Sequence, residues 1–529
     1  MMNVRDARFW LQKRRVPESK YLEELSQSKR TTVGHETAIH GVASPYSTGV
    51  PIQLIGTGIV INLKGTGSGA VPDDLKPDLT KSLVRDAHFT PSEVKNLYKS
   101  KNAAAVQVLA FLDRPYRTGD HLDATLRILD GSTSLEGGVL LPVSLFMIAE
   151  KPTTAKSPTP GQFVPAKLFA EASGLVTADL FVPKAVKDSL PPNITIVEQG
   201  TKLLDNWDFF ALVPADNDGR FSLYLELLFN GVFSAGSDPA VTRFHDSPVI
   251  KLRIPDPYFD DWNRFYFVVN LMDAKATSSW YKQDRLKKLS QELRSKDVQT
   301  RYLAACGLVG MQAPGVGVLE KALSDPDPDV RLEVAGALAP LGQLSIFEPL
   351  KAIAEGSDLG RKISAIYILG RLGAPAAAPF IEKFLDDPNP SVVYSAARAL
   401  GRIGSSARVV VVKGPLWNLN LAPQVEKTAV LFGCKAPRTI LLMGEPAVTG
   451  QARETIGFMT VTHESGNTEL FYEQRLPDGR ILRASSPANV QSLVETFSKA
   501  GASFSQTARL ISSLVQKGAV SAVTDSYMD

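Results

Sequence analysis

Side chains able to do chemistry are few and widely spaced in this sequence. Its six histidines stand at His35, His40, His88, His121, His245 and His463. None falls into an H-E-x-x-H spacing, and the interval of five between His35 and His40 suits no single helix face. Two cysteines, Cys306 and Cys434, are too few for a structural zinc site. Cys306 lies in an apolar stretch, where a thiol packs as a small hydrophobe. The carboxylate pairs Asp260-Asp261 and Asp386-Asp387 sit among turn residues, so a solvated or capping role is expected of them. Gly67-Ser68-Gly69 lacks the spacers of a nucleophile elbow. Gly56-Thr57-Gly58 runs into a strand-like segment, Gly65-Thr66-Gly67 leads to Ala70-Val71-Pro72, and Lys64 precedes its glycines. Neither a dinucleotide fingerprint nor a phosphate loop is formed, and turns are the expected use of these glycines. The expectation is a protein that is not an enzyme and has no cofactor and no metal.

The elements that would position such residues come from a chain of 529 residues, enough for three or four domains. Apolar residues at 44% and charged residues at 21% describe an ordinary globular protein. The 58 basic residues are interleaved with 55 acidic ones, for a net charge of +3, so no nucleic-acid partner is expected. No apolar run is long enough to span a membrane.

One phrase recurs. LSDPDPDVRLEVAGALAPLG ends at Gly342, GSDLGRKISAIYILGRLG at Gly373, and LDDPNPSVVYSAARALGRIG at Gly404, with glycines 31 residues apart. SKDVQTRYLAACGLVGMQ (295–312) fits one interval earlier. A period near 30 marks a solenoid of helix pairs. The Asp325-Pro326 and Asp387-Pro388 turns are each followed by residues at helical spacing, Val330 and Arg331 among them, before a glycine stops the helix. This resembles the short bacterial HEAT repeat, the type also found in phycobilisome-lyase-like proteins. Such repeats are scaffolds, and their surface implies an unknown protein partner.

Outside the repeats the chain reads as mostly β. Ile52–Ile55 and Ile59–Leu63 are expected as two short strands hinged at Gly56 and Gly58, residues 80–99 as helical, and Ala105–Ala110, Leu122–Leu129 and Val139–Leu141 as strands. Leu175–Val182, Phe209–Val213 and Leu223–Phe229 read as further strands. Asn193-Ile194-Thr195 is a formal glycosylation triplet expected to be a turn. Strand character resumes at 408–412 and 441–461, and two amphipathic helices close the chain.

Four phrases in order, IGTGIVINLKGTG, KNAAAVQV, RTGDHLDAT and SLEGGVLLPV, resemble the bacterial flagellar P-ring protein family over about residues 40–145. The resemblance rests on Gly56, Gly58, Gly65, Thr66, Gly67, Lys101, Asn102, Gly119, Asp120, Gly137 and Gly138. Thr57 and Ser68 depart from the family's aromatic and acidic residues. KLRIPD (251–256) with Phe259, Arg264 and Asn270 is similar to the family's strand-to-helix phrase, and Asn489 and Gly501 match its C-terminal helix pair.

The expected fold class is α+β multidomain, with β-rich P-ring-like domains, an all-α HEAT-repeat solenoid and a C-terminal helix pair. The expected division is a charged lead-in (1–39), an N-terminal α/β domain (40–150), a linker (151–166), a β-rich domain (167–280), the solenoid (284–405), a β-rich segment (406–485), and the helix pair with a tail (486–529). The resemblance implies self-association into a ring of the flagellar basal body, in the periplasm, with the rod and other basal-body ring proteins as partners. An alternative is a P-ring-derived HEAT adaptor that forms no ring. MMNVRDARFWLQKRRVPESKYLEEL carries charges throughout and no apolar signal core, so a start upstream of Met1 is expected for an exported family.

Overall fold

The computed structural model describes residues 43–46, 52–150, 163–177, 181, 195–214, 219–233, 241–243, 250–273, 279–404, 406, 408–413, 417–423, 425, 428–434, 438–456, 459–475 and 480–527. The lead-in, the Asn193-Ile194 pair and histidines 35, 40 and 245 lie outside these residues.

Six antiparallel strands close a barrel in the order Ile52–Ile61, Ala104–Leu112, His121–Ile128, Ile196–Leu203, Phe163–Thr177 and Val139–Glu150. The period-2 alternation of Ala104–Leu112 explains its place. Val106, Val108, Ala110 and Leu112 point inward and are fully buried. Ala105 points outward beneath helices Lys76–Asp86 and Pro91–Leu97, joining Ile59, Leu79, Leu83 and Val94. The second of these helices starts at a capping box, because Thr90 and Glu93 stand at the spacing that lets each side chain reach the other's backbone N–H.

Several expectations are corrected here. The segment around Gly56 and Gly58 is not two hinged strands. It is one strand, continuous against Ala104–Leu112, whose register slips on its other side between Ile55 and Val60. At Gly56 a Cβ would lie 2.6 Å from the Ser144 carbonyl, so the crossing there needs a residue without a side chain. The expected linker 151–166 is not a division between domains. Backbone pairing begins at Phe163, and strands Val139–Glu150 and Phe163–Thr177 pair along their length as two walls of one barrel. Leu223–Phe229 is helical, within Gly219–Phe233. Its alternating apolar residues suggested period 2, yet the buried pair is Leu225 and Phe229, four apart, while Leu223 and Leu227 are exposed.

Beyond the barrel, strands Ala43–Tyr46, Phe209–Pro214, Ile250–Arg253 and Val241–Arg243 form a second sheet. Helices then follow in the repeat pattern. The second helix of each repeat is Val298–Gly310, Pro328–Leu338, Leu359–Leu372 and Pro390–Ile403. Their N-caps, Asp297, Asp327, Asp358 and Asn389, each accept a backbone N–H from the first turn. Gly342, Gly373 and Gly404 close the last three repeats with φ of 69°, 65° and 70°, the left-handed conformation glycine adopts without strain. The 31-residue period is thus a cap-to-cap period.

After the repeats, five strands run in the order Val410–Lys413, Asn418–Ala422, Thr439–Met443, Ala429–Gly433 and Val523–Tyr527. The last of them lies in the stretch read from sequence as a tail. Its inner strands are buried on both faces. Ala429, Leu431, Leu441 and Met443 join the core of the repeats, whereas Val430, Phe432, Ile440 and Leu442 join the core of the closing helices Val490–Lys499 and Phe504–Gln516. The last repeat helix approaches closely enough that a Cβ on Gly433 would meet the Tyr394 hydroxyl at 1.9 Å. The solenoid is therefore packed into the fold, not appended to it. A four-stranded sheet, Ala452–Ile456, Met459–His463, Glu469–Arg475 and Ile481–Pro487, completes the C-terminal part.

Candidate functional site

The motif positions of the barrel gather in one loop network. The Gly65 N–H donates to Asn102 Oδ1 at 3.1 Å and the Gly67 N–H to the Lys101 carbonyl at 2.8 Å. Thr66 Oγ1 donates to the Ser134 carbonyl at 2.8 Å, while its own carbonyl accepts the Thr133 N–H at 2.9 Å. Gly67 is held so near the facing loop that a Cβ would meet the Ala103 carbonyl at 2.2 Å. Gly65, Thr66, Gly67, Lys101 and Asn102 thus form a backbone latch across the barrel end, and phosphate-type chemistry finds no cradle in it.

The other motif positions stand apart. Gly58 lies on the barrel strand against Leu140 and Val143, and Gly137 and Gly138 precede the strand that packs there. Gly119 and Asp120 pin the Arg117 turn to strand Ile196–Leu203, with the Gly119 N–H on the Leu203 carbonyl at 2.9 Å and Asp120 Oδ2 accepting the Arg117 N–H at 2.7 Å. Asn489 caps the first closing helix by accepting the Ser492 N–H at 2.7 Å, and Gly501 turns the chain into the second.

In the repeats, Asp325 Oδ2 accepts from Arg294 Nε at 2.8 Å, and Arg331 donates to the Asp325 and Pro326 carbonyls at 2.7 and 3.1 Å. Burial is the strongest single influence and opposes the Asp325 charge, but the Arg294 hydrogen bond, the Asp327 N–H and the charges of Arg294 and Arg331 together hold the carboxyl below its usual range. Asp387 accepts from Lys362 at 3.2 Å and from the Asn389 N–H at 2.8 Å. Val330 is buried in the repeat core. Pro326 and Pro388 belong to the turns so held.

Two buried polar junctions were missed by the sequence reading. At the first, the turn carrying Asp260 and Asp261 is gripped by the repeats. Asp261 accepts from Arg264 Nε at 2.9 Å and Arg371 Nη1 at 2.7 Å, Asp260 accepts from Arg402, and Arg264 reaches Glu333 at 2.9 Å. These carboxylates were expected to be solvated or capping. Asp260 does stay half exposed, but both carboxylates bind arginines, Arg402 and Arg371, that stand 31 residues apart at the same position of successive repeats, which is the signal that could have found them. Burial works against the Arg264 charge, yet Glu333 and Asp261 together hold its guanidinium well above the usual value. Cys306, fully buried beside this cluster, has its thiol pushed up to about 12 chiefly by burial, which makes it inert.

The second junction joins the barrel to the closing helices. Glu198 of the barrel accepts from Arg438, from the Ser505 N–H at 2.9 Å and from Ser505 Oγ at 2.9 Å. Arg438 also donates to Asp123 at 2.9 Å. The carboxylate faces the N-terminus of helix Phe504–Gln516, where free N–H groups and the helix dipole favour an anion. Beside it the Phe181 N–H donates to Ser505 Oγ at 2.8 Å, and the Phe181 ring meets Phe432 edge-on at 4.9 Å.

Two of the described histidines, His121 and His463, meet backbone carbonyls. His121 Nδ1 lies 2.9 Å from the Gln199 carbonyl, and His463 sits between the Gly450 and Asn467 carbonyls at 2.7 and 3.0 Å. Among the described residues no group of three or more His, Cys, Asp or Glu side chains could hold a metal ion. No described helix is long and apolar enough to cross a membrane. What the arrangement does is tie turns, strands and helix ends to one another.

Residues 46–154 match the family Flagellar P-ring protein, and residues 286–367 and 347–414 match HEAT repeats. The Flagellar P-ring protein of Campylobacter lari is 28% identical over 216 residues, covering 39% of this chain and 55% of that protein. That of Sulfurimonas denitrificans is 29% identical over 210 residues, covering 38% and 53%. That of Bdellovibrio bacteriovorus is 37% identical over 94 residues, covering 18% and 27%. The chain thus spans about half the length, or less, of these curated relatives. Among solved structures, the complex of CpcE and CpcF of phycocyanin lyase from Nostoc sp. PCC7120 aligns with 33% of this chain and 71% of that one, at 20% identity and a TM-score of 0.20. A barrel with the motif latch at its end and a cap-to-cap helical period meet in one polypeptide: the chain carries a flagellar P-ring protein family domain together with HEAT repeats.

Proposed function

We propose that this chain is a structural subunit of the bacterial flagellar basal body, a P-ring-like bushing around the rod in the periplasm, built from many copies and without enzymatic activity. The observation that carries this reading is the family match over residues 46–154, which takes in the latch and four of the six strands of the closed barrel. Ring closure needs a subunit that does not deform, because a small angular error per copy accumulates around the ring. Two junctions support that requirement: Glu198–Arg438 ties the barrel to the C-terminal part, and Asp261–Arg371 ties the 260–264 turn to the repeats.

The repeats add a protein-binding surface in this reading. Their face at Glu333, Arg371 and Arg402 is occupied by the chain's own 260–264 turn. A partner is therefore assigned to the side of the first helices, Ala313–Ala322 and Phe347–Ala354. A second reading, an adaptor that forms no ring, is favoured by the limited span of the family relatives that this chain covers.

Deleting the gene and imaging isolated basal bodies separates the two. The first reading expects particles that lack a ring and cells that lose motility. Intact rings in the deletion strain would overturn it in favour of the adaptor.

A further inference from the structure

We infer that His463 is a protonation switch for the turn 464–467. As imidazolium it ties that turn to the start of the neighbouring strand, and as neutral imidazole it lets the turn go.

His463 ends strand Met459–His463, on the face that carries Met459 and Val461 into the core of the closing helices, and it is 1% exposed. Its Nδ1 lies 2.7 Å from the Gly450 carbonyl and its Nε2 lies 3.0 Å from the Asn467 carbonyl. Both partners can only accept. A neutral imidazole carries one N–H, so in either tautomer one ring nitrogen would turn a lone pair toward a carbonyl oxygen. The imidazolium alone donates to both. Among the described residues the ring meets no hydrogen-bond donor that would satisfy a bare nitrogen, and no ion pair involves it.

The charges around the ring leave this balance to the two carbonyls. On the adjoining strand Ala452–Ile456, Glu454 shares the face of His463 but is taken by Ser513 and Lys517. Arg453 points to the opposite face and is exposed. On the strand beyond, Glu469 is exposed and the Tyr472 hydroxyl is bonded to Ser486 at 2.7 Å. Glu464, in the turn itself, is exposed. Segments 446–451 and 518–522, which meet at Gly450, carry no charged residue.

The bond that deprotonation breaks follows from the two partners. Gly450 is the nearer one and is fixed elsewhere, because the Thr449 and Gly450 N–H groups donate to the Ala519 carbonyl at 2.9 and 3.2 Å. Asn467 is the farther one and belongs to a run, 464–469, that is exposed throughout. Within the turn its N–H donates to the Glu464 carbonyl at 3.0 Å, and Gly466 has a φ of 86°. Loss of the proton therefore frees the turn and leaves the strand start in place. The ring's contribution to stability is complete in acid and fades as pH rises.

The test uses the full chain. Deuterium uptake at the imidazole C2 position, followed by mass spectrometry between about pH 5 and pH 9, reports the protonation of each ring. The exposed His88 of the same chain is the reference. The expected result is a His463 profile that levels off at higher pH than that of His88. A profile levelling off at the pH of His88 or below overturns the switch. This measurement on the wild-type chain needs no variant to fold. In parallel, the non-titrating His463→Gln should lower the folding constant in urea by about tenfold more near pH 5.5 than near pH 8.5, as a bond to a charged donor is lost only in acid. Equal losses at the two pH values, or a greater loss at the higher one, overturn the switch as well.

Discussion

Replacing Arg438 with Met should loosen the closing helix from the barrel far more than a surface change would. The Glu198 side chain is 1% exposed and that of Arg438 10%. Removing the arginine leaves a buried carboxylate whose compensation falls to the Ser505 N–H and hydroxyl. Breaking a buried ion pair from one side costs about 3–5 kcal/mol. The two Ser505 bonds survive, so the loss should lie at the lower end, about 3 kcal/mol. Glu198→Gln keeps an oxygen for Ser505 and leaves Arg438 on Asp123, so it should cost about 1–2 kcal/mol. The double variant has no buried charge to strand and should cost less than the sum of the two. Hydrogen exchange across 504–516 reads this directly, because the Ser505 amide donates to Glu198. A loss of 3 kcal/mol corresponds to exchange faster by about a hundredfold. Exchange in Arg438→Met within about threefold of wild type, or strict additivity in the double variant, would refute the reasoning.

Three further outcomes are expected. Asp261→Ala strips partners from Arg264 and Arg371, whose side chains are 7% and 5% exposed, and should destabilise the repeats by about 3 kcal/mol in urea unfolding followed by helical circular dichroism; a loss below about 0.5 kcal/mol would mean the clamp is solvated. Gly373→Val forces a β-branched residue into φ 65° and should cost about 1–2 kcal/mol, while the exposed Ser364→Ala costs little. Asp325 is held below its ordinary value of 3.8, so its stabilisation is complete above that pH and is lost as pH falls through the lower folded value. The stability gap between wild type and Asp325→Asn should therefore be constant above about pH 5 and shrink toward pH 2; a gap that widens in acid would reverse the sign.

The repeat helices were legible because their signals are local. A 31-residue spacing of turn, apolar face and glycine maps onto N-cap, core and C-cap with nothing long-range required. The barrel strands were legible singly but not in their closure, because pairing Val139–Glu150 with Phe163–Thr177 depends on contacts across a proline-rich stretch that reads as a linker. Helix Gly219–Phe233 was misread since Leu223, Leu225, Leu227 and Phe229 alternate in sequence as a strand would, and only burial shows which of them face the core. The junctions at Asp261 and Glu198 were invisible for another reason. Their partners lie 110 and 240 residues away in the chain, and a lone buried carboxylate carries no mark in the sequence until its arginine is known. Arg371 and Arg402 did carry one, the repeat spacing itself.

The most direct test of the structural reading is to isolate flagellar basal bodies from the source cells and quantify this chain against the rod proteins by mass spectrometry. The account predicts many copies per particle, lost together with the ring when the gene is deleted. Absence of the chain from purified particles that retain their ring would contradict it.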